Sequence, residues 1–219
     1  MAHKPTPHPS DKVDIAVCNT NRVMTSILHW ISLHWLLVAN ICVGALIVLP
    51  VLAPISMHFG MVGLGGFLYK LFRAACHQMP ERSFFLFGKQ PLYSLDQLKL
   101  LIGVVPPRYI GNSYLGYKIA VCERDTAIYG SMFLAGLIFN FLRKLKPMPI
   151  KLFIILILPM VIDGTGSLFG LWSGTWLNRV VTGTIFGAAC ILLCYPYLQE
   201  GMHDIYAETS VLLHELENQ

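Results

Sequence analysis

Residues 27–52 read ILHWISLHWLLVANICVGALIVLPVL, and this stretch decides the class of fold. It contains no Asp, Glu, Lys or Arg, and it exceeds the roughly 20 apolar residues that a membrane-spanning helix needs. No small-residue cleavage site follows it, so we do not interpret it as a cleaved signal peptide. The stretch therefore predicts a permanent transmembrane helix.

The composition of the whole chain agrees with this interpretation. Of its 219 residues, 55% are hydrophobic and only 13% are charged, whereas soluble domains carry roughly 25% charged residues. The net charge of +4 is small and spread along the chain, so it does not indicate a nucleic-acid partner. We expect a multi-pass protein of the cell membrane, with the lipid bilayer as its surroundings.

Three further stretches are apolar enough to span a membrane: 126–142, 150–169 and 180–198. Pro159 and Asp163 interrupt the second, but membrane helices tolerate such residues where neighbouring helices satisfy the freed backbone groups. We therefore expect an all-α membrane protein, a bundle of about four transmembrane helices in a single domain over residues 25–199.

The remaining segments predict a cap and two tails. The cap covers residues 55–124 and contains LDQLKLLIG, whose leucines share one face of a helix. Within it, residues 57–72 form either a fifth span or a helix lying in the membrane interface, and their short length favours the interface. A polar tail at 1–24 precedes the bundle, and an acidic tail at 200–219 follows it.

The distribution of basic residues predicts the orientation of the bundle. The connection 143–151, RKLKPMPIK, is the densest basic run, so we expect it in the cytoplasm. The cap loop 54–125 and the turn 171–179 are then external. The Lys and Arg residues of the cap loop count little in this rule, because the loop is longer than about 60 residues.

Two separate segments supply candidate metal ligands on the external side. Cys76 and His77 are adjacent, while Cys122 and Asp125 are three residues apart and share a face of the helix that begins there. Thiolate, imidazole and carboxylate groups bind zinc, copper or iron. The four side chains therefore predict a metal-binding or thiol site.

Other interpretations of the same residues stay open at this point. A Cys76–Cys122 disulfide is natural outside the cell. Asp125 is also a suitable residue to cap the helix and complement its dipole. In a purely structural interpretation, the neighbouring charges form an ion-pair network: Glu81, Arg82, Glu123 and Arg124.

Asp163 predicts a polar cluster inside the membrane. A carboxylate within a span is costly, and it usually has a function and a partner. Arg179 begins the next span after a short turn, so a helical hairpin would bring it to Asp163, and Arg124 is the other candidate partner. Asn178 adds a polar side chain to this cluster. A structural Asp163–Arg179 pair that locks the hairpin is the alternative.

Three blocks of the chain together resemble a known family. They are CHQMPERSFFLFGKQ, VCERDTAIYG and LPMVIDGTGSLFGLWSGTWLNRVVTGTIFG, within residues 66–198. They are similar to the signature blocks of prokaryotic integral membrane proteins catalogued only as a domain of unknown function. The resemblance implies a multi-span helical protein and no established activity.

This chain departs from the family pattern at two positions within the blocks. Members often carry Cys where this chain has Asp125, and many carry Gln where it has Gly166. Asp can replace Cys as a metal ligand but not as a disulfide partner, which favours metal or acid–base chemistry at position 125.

The functional expectation is a membrane protein of unknown activity with a metal-binding or thiol site at its external face. Whether it is an enzyme stays open. One alternative is a non-catalytic subunit of a larger membrane complex that docks through residues 91–118, which are often much shorter in the family. Another is a small transporter that uses Asp163.

Overall fold

The structure is a computed structural model that describes residues 9–172 and 174–217, with side chains from residue 20 to 216 except 173. The described residues are mostly helical. The helices are α1 (Pro9–His58), α2 (Val62–Leu71), α3 (Leu95–Ile102), α4 (Glu123–Phe139), α5 (Ile150–Leu168) and α6 (Trp176–Glu217). Three short strands, β1 (Phe85–Leu86), β2 (Gly111–Asn112) and β3 (Gly116–Lys118), lie between α2 and α4.

Three helices of the described chain are long and apolar enough to cross a membrane. They are α1 from Thr20 onward, α5, and α6 as far as Leu216. The other predicted span corresponds to α4, which has 17 residues and carries charged side chains in its first turn. At 1.5 Å per residue α4 is about 26 Å long, slightly less than the hydrocarbon thickness of a typical bilayer.

The four long helices alternate in direction. α1 and α5 end where α4 and α6 begin, and we call this the cap end of the bundle. α4 packs closely on α6 because α6 has glycine at the contact: a Cβ on Gly187 would lie 2.2 Å from Ser131 Oγ and 2.4 Å from the Ile128 carbonyl oxygen. The small residues at 183 and 187 therefore let the two backbones approach.

The predicted tails overlap two long helices. Residues 9–24 belong to α1, and residues 200–217 continue α6, while residues 1–8, 218 and 219 lie outside the described residues. After Gly201 the chain has no Gly or Pro to terminate the helix. The C-terminal extension packs on α1, since His29 of α1 lies 3.2 Å from the Thr209 hydroxyl and stacks on Tyr206.

The cap combines helices with a small sheet, so the all-α prediction is wrong in this detail. The strands are antiparallel in the order β1-β3-β2. The predicted helix is α3, which starts with a capping box between Ser94 and Gln97 and fully buries Leu98. Residues 57–72 form no continuous helix: α1 ends at His58, and the ten residues of α2 span about 15 Å, too short to cross a bilayer.

A proline in α1 attaches the cap to the bundle. Pro54 has no N–H, so it cannot donate the helical hydrogen bond to the Pro50 carbonyl oxygen. That oxygen instead accepts a hydrogen bond from the Ala120 N–H at 3.1 Å. The bond holds the segment after β3 against α1, two residues before Cys122.

Candidate metal centre

The loop that carries Cys76 is fixed by Gln78. Gln78 is buried, adopts a left-handed backbone conformation with φ 56°, and donates from its side-chain amide to the carbonyl oxygens of Tyr69 and Ala120 at 2.8 and 2.9 Å. Its own carbonyl oxygen accepts a hydrogen bond from the Nζ of Lys118, which is fully buried. These bonds join the Cys76 loop to the segment that leads to Cys122.

Cys122 occupies the N-cap of α4. Its Sγ accepts a hydrogen bond from the Asp125 N–H at 3.5 Å and donates to Asp125 Oδ2 at 3.1 Å. The Cys122 N–H in turn donates to Cys76 Sγ at 3.3 Å. The two sulfur atoms and a carboxylate oxygen of Asp125 all lie within 4.8 Å of one another. The structure thus brings together three of the four predicted ligands.

His77 lies outside this three-residue group. Its side chain is exposed, whereas Cys76 is buried. Both line the same cavity of about 330 Å³, which opens between the Cys76 loop, the start of α4 and the end of α5. Adjacent residues of an irregular loop face different directions, which explains why the thiol enters the group while the imidazole stays at its edge.

The two thiols have different acidities. The Cys122 thiol lowers the pKa of Cys76, because its proton stabilises the Cys76 thiolate when it turns from Asp125 to Cys76. The same interaction, together with burial, raises the pKa of Cys122. Both cysteines are free thiols here, so the disulfide alternative is not the state of this structure.

The ion pairs at the cap end differ from the predicted hairpin lock. Asp163 pairs with Arg124, the second candidate, and Arg179 pairs with Glu123 at 3.0 Å. Successive residues of a helix point about 100° apart, so Glu123 and Arg124 reach two different neighbours, α6 and α5. The prediction of an Asp163–Arg179 pair is therefore wrong, although both residues are buried.

The remaining predicted polar residues do not join these pairs. Within the described part of the chain, Glu81 and Arg82 form no ion pair with Glu123 or Arg124, and Arg82 lines the cavity instead. Asn178 is exposed at the start of α6. The predicted docking role of 91–118 and the predicted transport role of Asp163 stay predictions.

Sequence reasoning missed three residues around the site: Gln78, Lys118 and Ser167. Gln78 lies inside the CHQMPERSF block, and a polar residue next to two candidate ligands could have indicated its role. Lys118 ends β3, and its burial depends on the cap sheet, which the sequence pattern did not predict. Ser167 follows Asp163 by four residues, which places it on the same face of α5.

A family of known proteins matches the part of the chain that contains two of the three grouped residues. The family described as "Predicted membrane protein (DUF2085)" matches residues 112–193, which include Cys122, Asp125 and Asp163 but not Cys76. An uncharacterized protein of Methanocaldococcus jannaschii is 31% identical over 136 residues, covering 61% of this chain and 69% of that protein. No solved structure matches the chain.

Proposed function

The chain belongs to the DUF2085 family of predicted membrane proteins, and from that premise we propose that it binds a zinc ion at the external end of a four-helix membrane bundle. One observation carries the proposal: the sulfur atoms of Cys76 and Cys122 and a carboxylate oxygen of Asp125 lie within 4.8 Å of one another. Ligand bonds of roughly 2.0–2.3 Å place tetrahedral donor atoms roughly 3.3–3.8 Å apart, so a small inward movement of these side chains would bring all three to one ion.

The donor atoms favour zinc over copper and iron. Two thiolates and one carboxylate combine soft and hard donors, which suits the borderline character of Zn²⁺. Copper(I) prefers sulfur or imidazole donors alone, and iron in sulfur-rich sites is usually held by more cysteines. The lower pKa of Cys76 supports metal binding, because a thiol must lose its proton to become a ligand.

A fourth ligand position remains for His77 or water. Three protein ligands with an open position are typical of catalytic zinc sites, whereas structural sites are closed by four. The group lines a cavity of about 330 Å³, which is large enough for a small ligand. When bound there, zinc would supply Lewis acidity and an activated water.

The membrane arrangement of the proposal adds α4 as the fourth span. Its neighbours α1 and α6 are both candidate spans, and α4 packs against each of them. With the basic connection 143–151 in the cytoplasm, the cap end faces outward. The metal site then lies at the outer membrane surface, where a ligand can reach it from outside the cell.

Metal analysis of the purified full-length protein tests the proposal. We expect one zinc ion per chain in the wild type and a much lower zinc content in Cys122→Ser. Cys190→Ser is the matched control, because Cys190 is a free cysteine on α6 outside the group. Folded wild-type protein that stays free of metal after incubation with zinc, copper and iron salts would contradict the proposal.

A second candidate function is a thiol–disulfide couple. It is favoured by the free state of Cys76 and Cys122 and by the close approach of their sulfur atoms. An external quinone or disulfide oxidant would accept two electrons and two protons as the S–S bond forms. Mass spectrometry after alkylation separates the two candidates, since a disulfide blocks both cysteines until a reductant is added, whereas zinc blocks them until a chelator is added.

A further inference from the structure

Two residues that line the cavity beside the thiols carry buried polar atoms that the metal site does not use. Among the described residues, four buried side-chain polar atoms lack a hydrogen-bond partner, and two of them belong to residues that line this cavity. These two are Arg124 Nε and Ser167 Oγ. Buried polar atoms are nearly always hydrogen-bonded, so two such atoms at one cavity indicate a missing partner.

Neither atom is satisfied by the local bond that its neighbours make. Thr165, two residues before Ser167 on the same helix, donates its hydroxyl to the Val161 carbonyl oxygen at 2.7 Å. No corresponding bond forms at Ser167. Arg124 uses its Nη2 to pair with Asp163, which leaves its Nε as a free donor.

The charges around the cavity favour an anionic partner. Arg82 lines the cavity, is half-buried, and has no ion-pair partner among the described residues. Asp125 is the acidic residue of the lining, and in the proposed function its carboxylate binds the metal. A guanidinium with no carboxylate oxygen within ion-pair distance, beside residues that carry two unused donors, matches the oxygen atoms of a carboxylate or phosphate group.

We propose that this cavity binds an oxyanion, the carboxylate or phosphate group of a ligand, with Arg124 Nε and Ser167 Oγ donating hydrogen bonds to its oxygens. Arg82 supplies the attracting charge. This inference rests on the proposed function where it places the anion beside the metal, and it names the substrate class of that site. Ala75, Met79 and Leu168 also line the cavity and would contact an apolar part of the ligand.

Calorimetric titration of the full-length protein with inorganic phosphate and with acetate tests the inference. We expect saturable binding of at least one anion, weakened about tenfold or more by each variant, because Ser167→Ala removes a hydrogen bond to the anion and Arg82→Gln removes the attracting charge. Thr165→Val and Arg73→Gln are the matched controls, since both residues are exposed and neither lines the cavity. Absence of saturable binding, or binding that Ser167→Ala and Arg82→Gln leave unchanged, overturns the inference.

The same titration with Cys122→Ser separates this inference from the metal proposal. Anion binding retained in a variant without zinc supports the cavity donors. Wild-type protein that binds zinc but no anion overturns only the present inference. Anion binding that disappears with zinc, while Ser167→Ala has no effect, places the anion on the metal and also overturns it.

Two sources of the anion can be distinguished in nanodiscs. If the headgroup of an anionic lipid is the ligand, phosphate binds in discs of phosphatidylcholine, which has no net charge, and is displaced in discs that contain phosphatidylglycerol. If a soluble anion is the ligand, the two kinds of disc give equal affinity. Either result supports an oxyanion site.

Discussion

The two ends of the helix bundle handle charge in different ways. At the cap end, Glu123 and Arg179 are buried as an ion pair with exposed fractions of 1% and 7%, and the Arg124–Asp163 pair lies beside them. At the opposite end, the basic residues of the connection 140–149 are exposed. Burying charges is costly unless they are paired, so the cap end depends on its ion pairs in a way that the opposite end does not.

The two ends also differ in how their side chains pack. The end away from the cap is closed by an aromatic cluster in which Trp35, Phe139 and Tyr195 meet edge to face, with ring centroids 5.4–6.4 Å apart. Such contacts are mainly apolar, with one buried hydrogen bond from the Tyr195 hydroxyl to Asn40 Oδ1 at 3.2 Å. The cap end adds buried ion pairs to its hydrophobic cluster, and these are sensitive to the loss of one partner.

Removal of one member of the buried ion pair is the strongest way to break this comparison. We expect Arg179→Met to lower the free energy of unfolding by about 3–5 kcal/mol, because Glu123 is left as an uncompensated buried charge. Lys144→Met, at the exposed opposite end, is expected to change it by less than about 0.5 kcal/mol. Thermal or denaturant unfolding in detergent gives both values.

The double variant Glu123→Gln/Arg179→Met sharpens this test. Because it removes both charges, it should be more stable than Arg179→Met alone. Equal losses for Arg179→Met and Lys144→Met would show that the two ends do not differ in their dependence on charge.

Lys118 predicts a pH dependence that is specific to the cap. Burial lowers the pKa of this lysine to about 8 from 10.5. Between these pH values the unfolded chain binds a proton that the folded chain does not, so the free energy of unfolding rises with pH. The contribution is at most about 3.5 kcal/mol across this window, by the linkage of about 1.4 kcal/mol per pKa unit.

The measurement is a series of unfolding curves from pH 8 to 10.5. Lys118→Met should remove this part of the pH dependence, whereas Lys99→Met, which changes an exposed lysine of the same cap, should retain it. A slope that persists in Lys118→Met would assign the pH dependence to other groups.

The sequence also predicts some features of the molecule better than others. The apolar runs predicted the long helices because a span of about 20 apolar residues has few alternatives. The spacing of Cys122 and Asp125 placed their side chains together, since both lie in one helical turn. The partners of Asp163 and Arg179 depend on how three helices are rotated about their axes, which local sequence does not specify. The burial of Lys118 likewise depends on strand pairing across the cap.

The contact between α4 and α6 gives the smallest expected effect, and it tests whether the charged cap end needs a rigid bundle beneath it. In Gly187→Ala the new Cβ would lie 2.4 Å from the Ile128 carbonyl oxygen, so the helices must separate. We expect a loss of about 1–3 kcal/mol in the free energy of unfolding. Gly201→Ala, on the same helix with open space around it, should be neutral or stabilising, since alanine favours the helix.

The metal content of the same variant then connects packing to the site. Gly187 faces Ile128 and Ser131 of α4, which follow Cys122 and Asp125 along the chain. Separation of the helices there would therefore also move Cys122 and Asp125 relative to Cys76. We expect Gly187→Ala to weaken zinc binding, while Gly201→Ala retains it. If Gly187→Ala lost stability but bound zinc as tightly as the wild type, the α4–α6 contact would stabilise the bundle without positioning the ligands, and the hydrogen bonds of the cap alone would account for the geometry of the site.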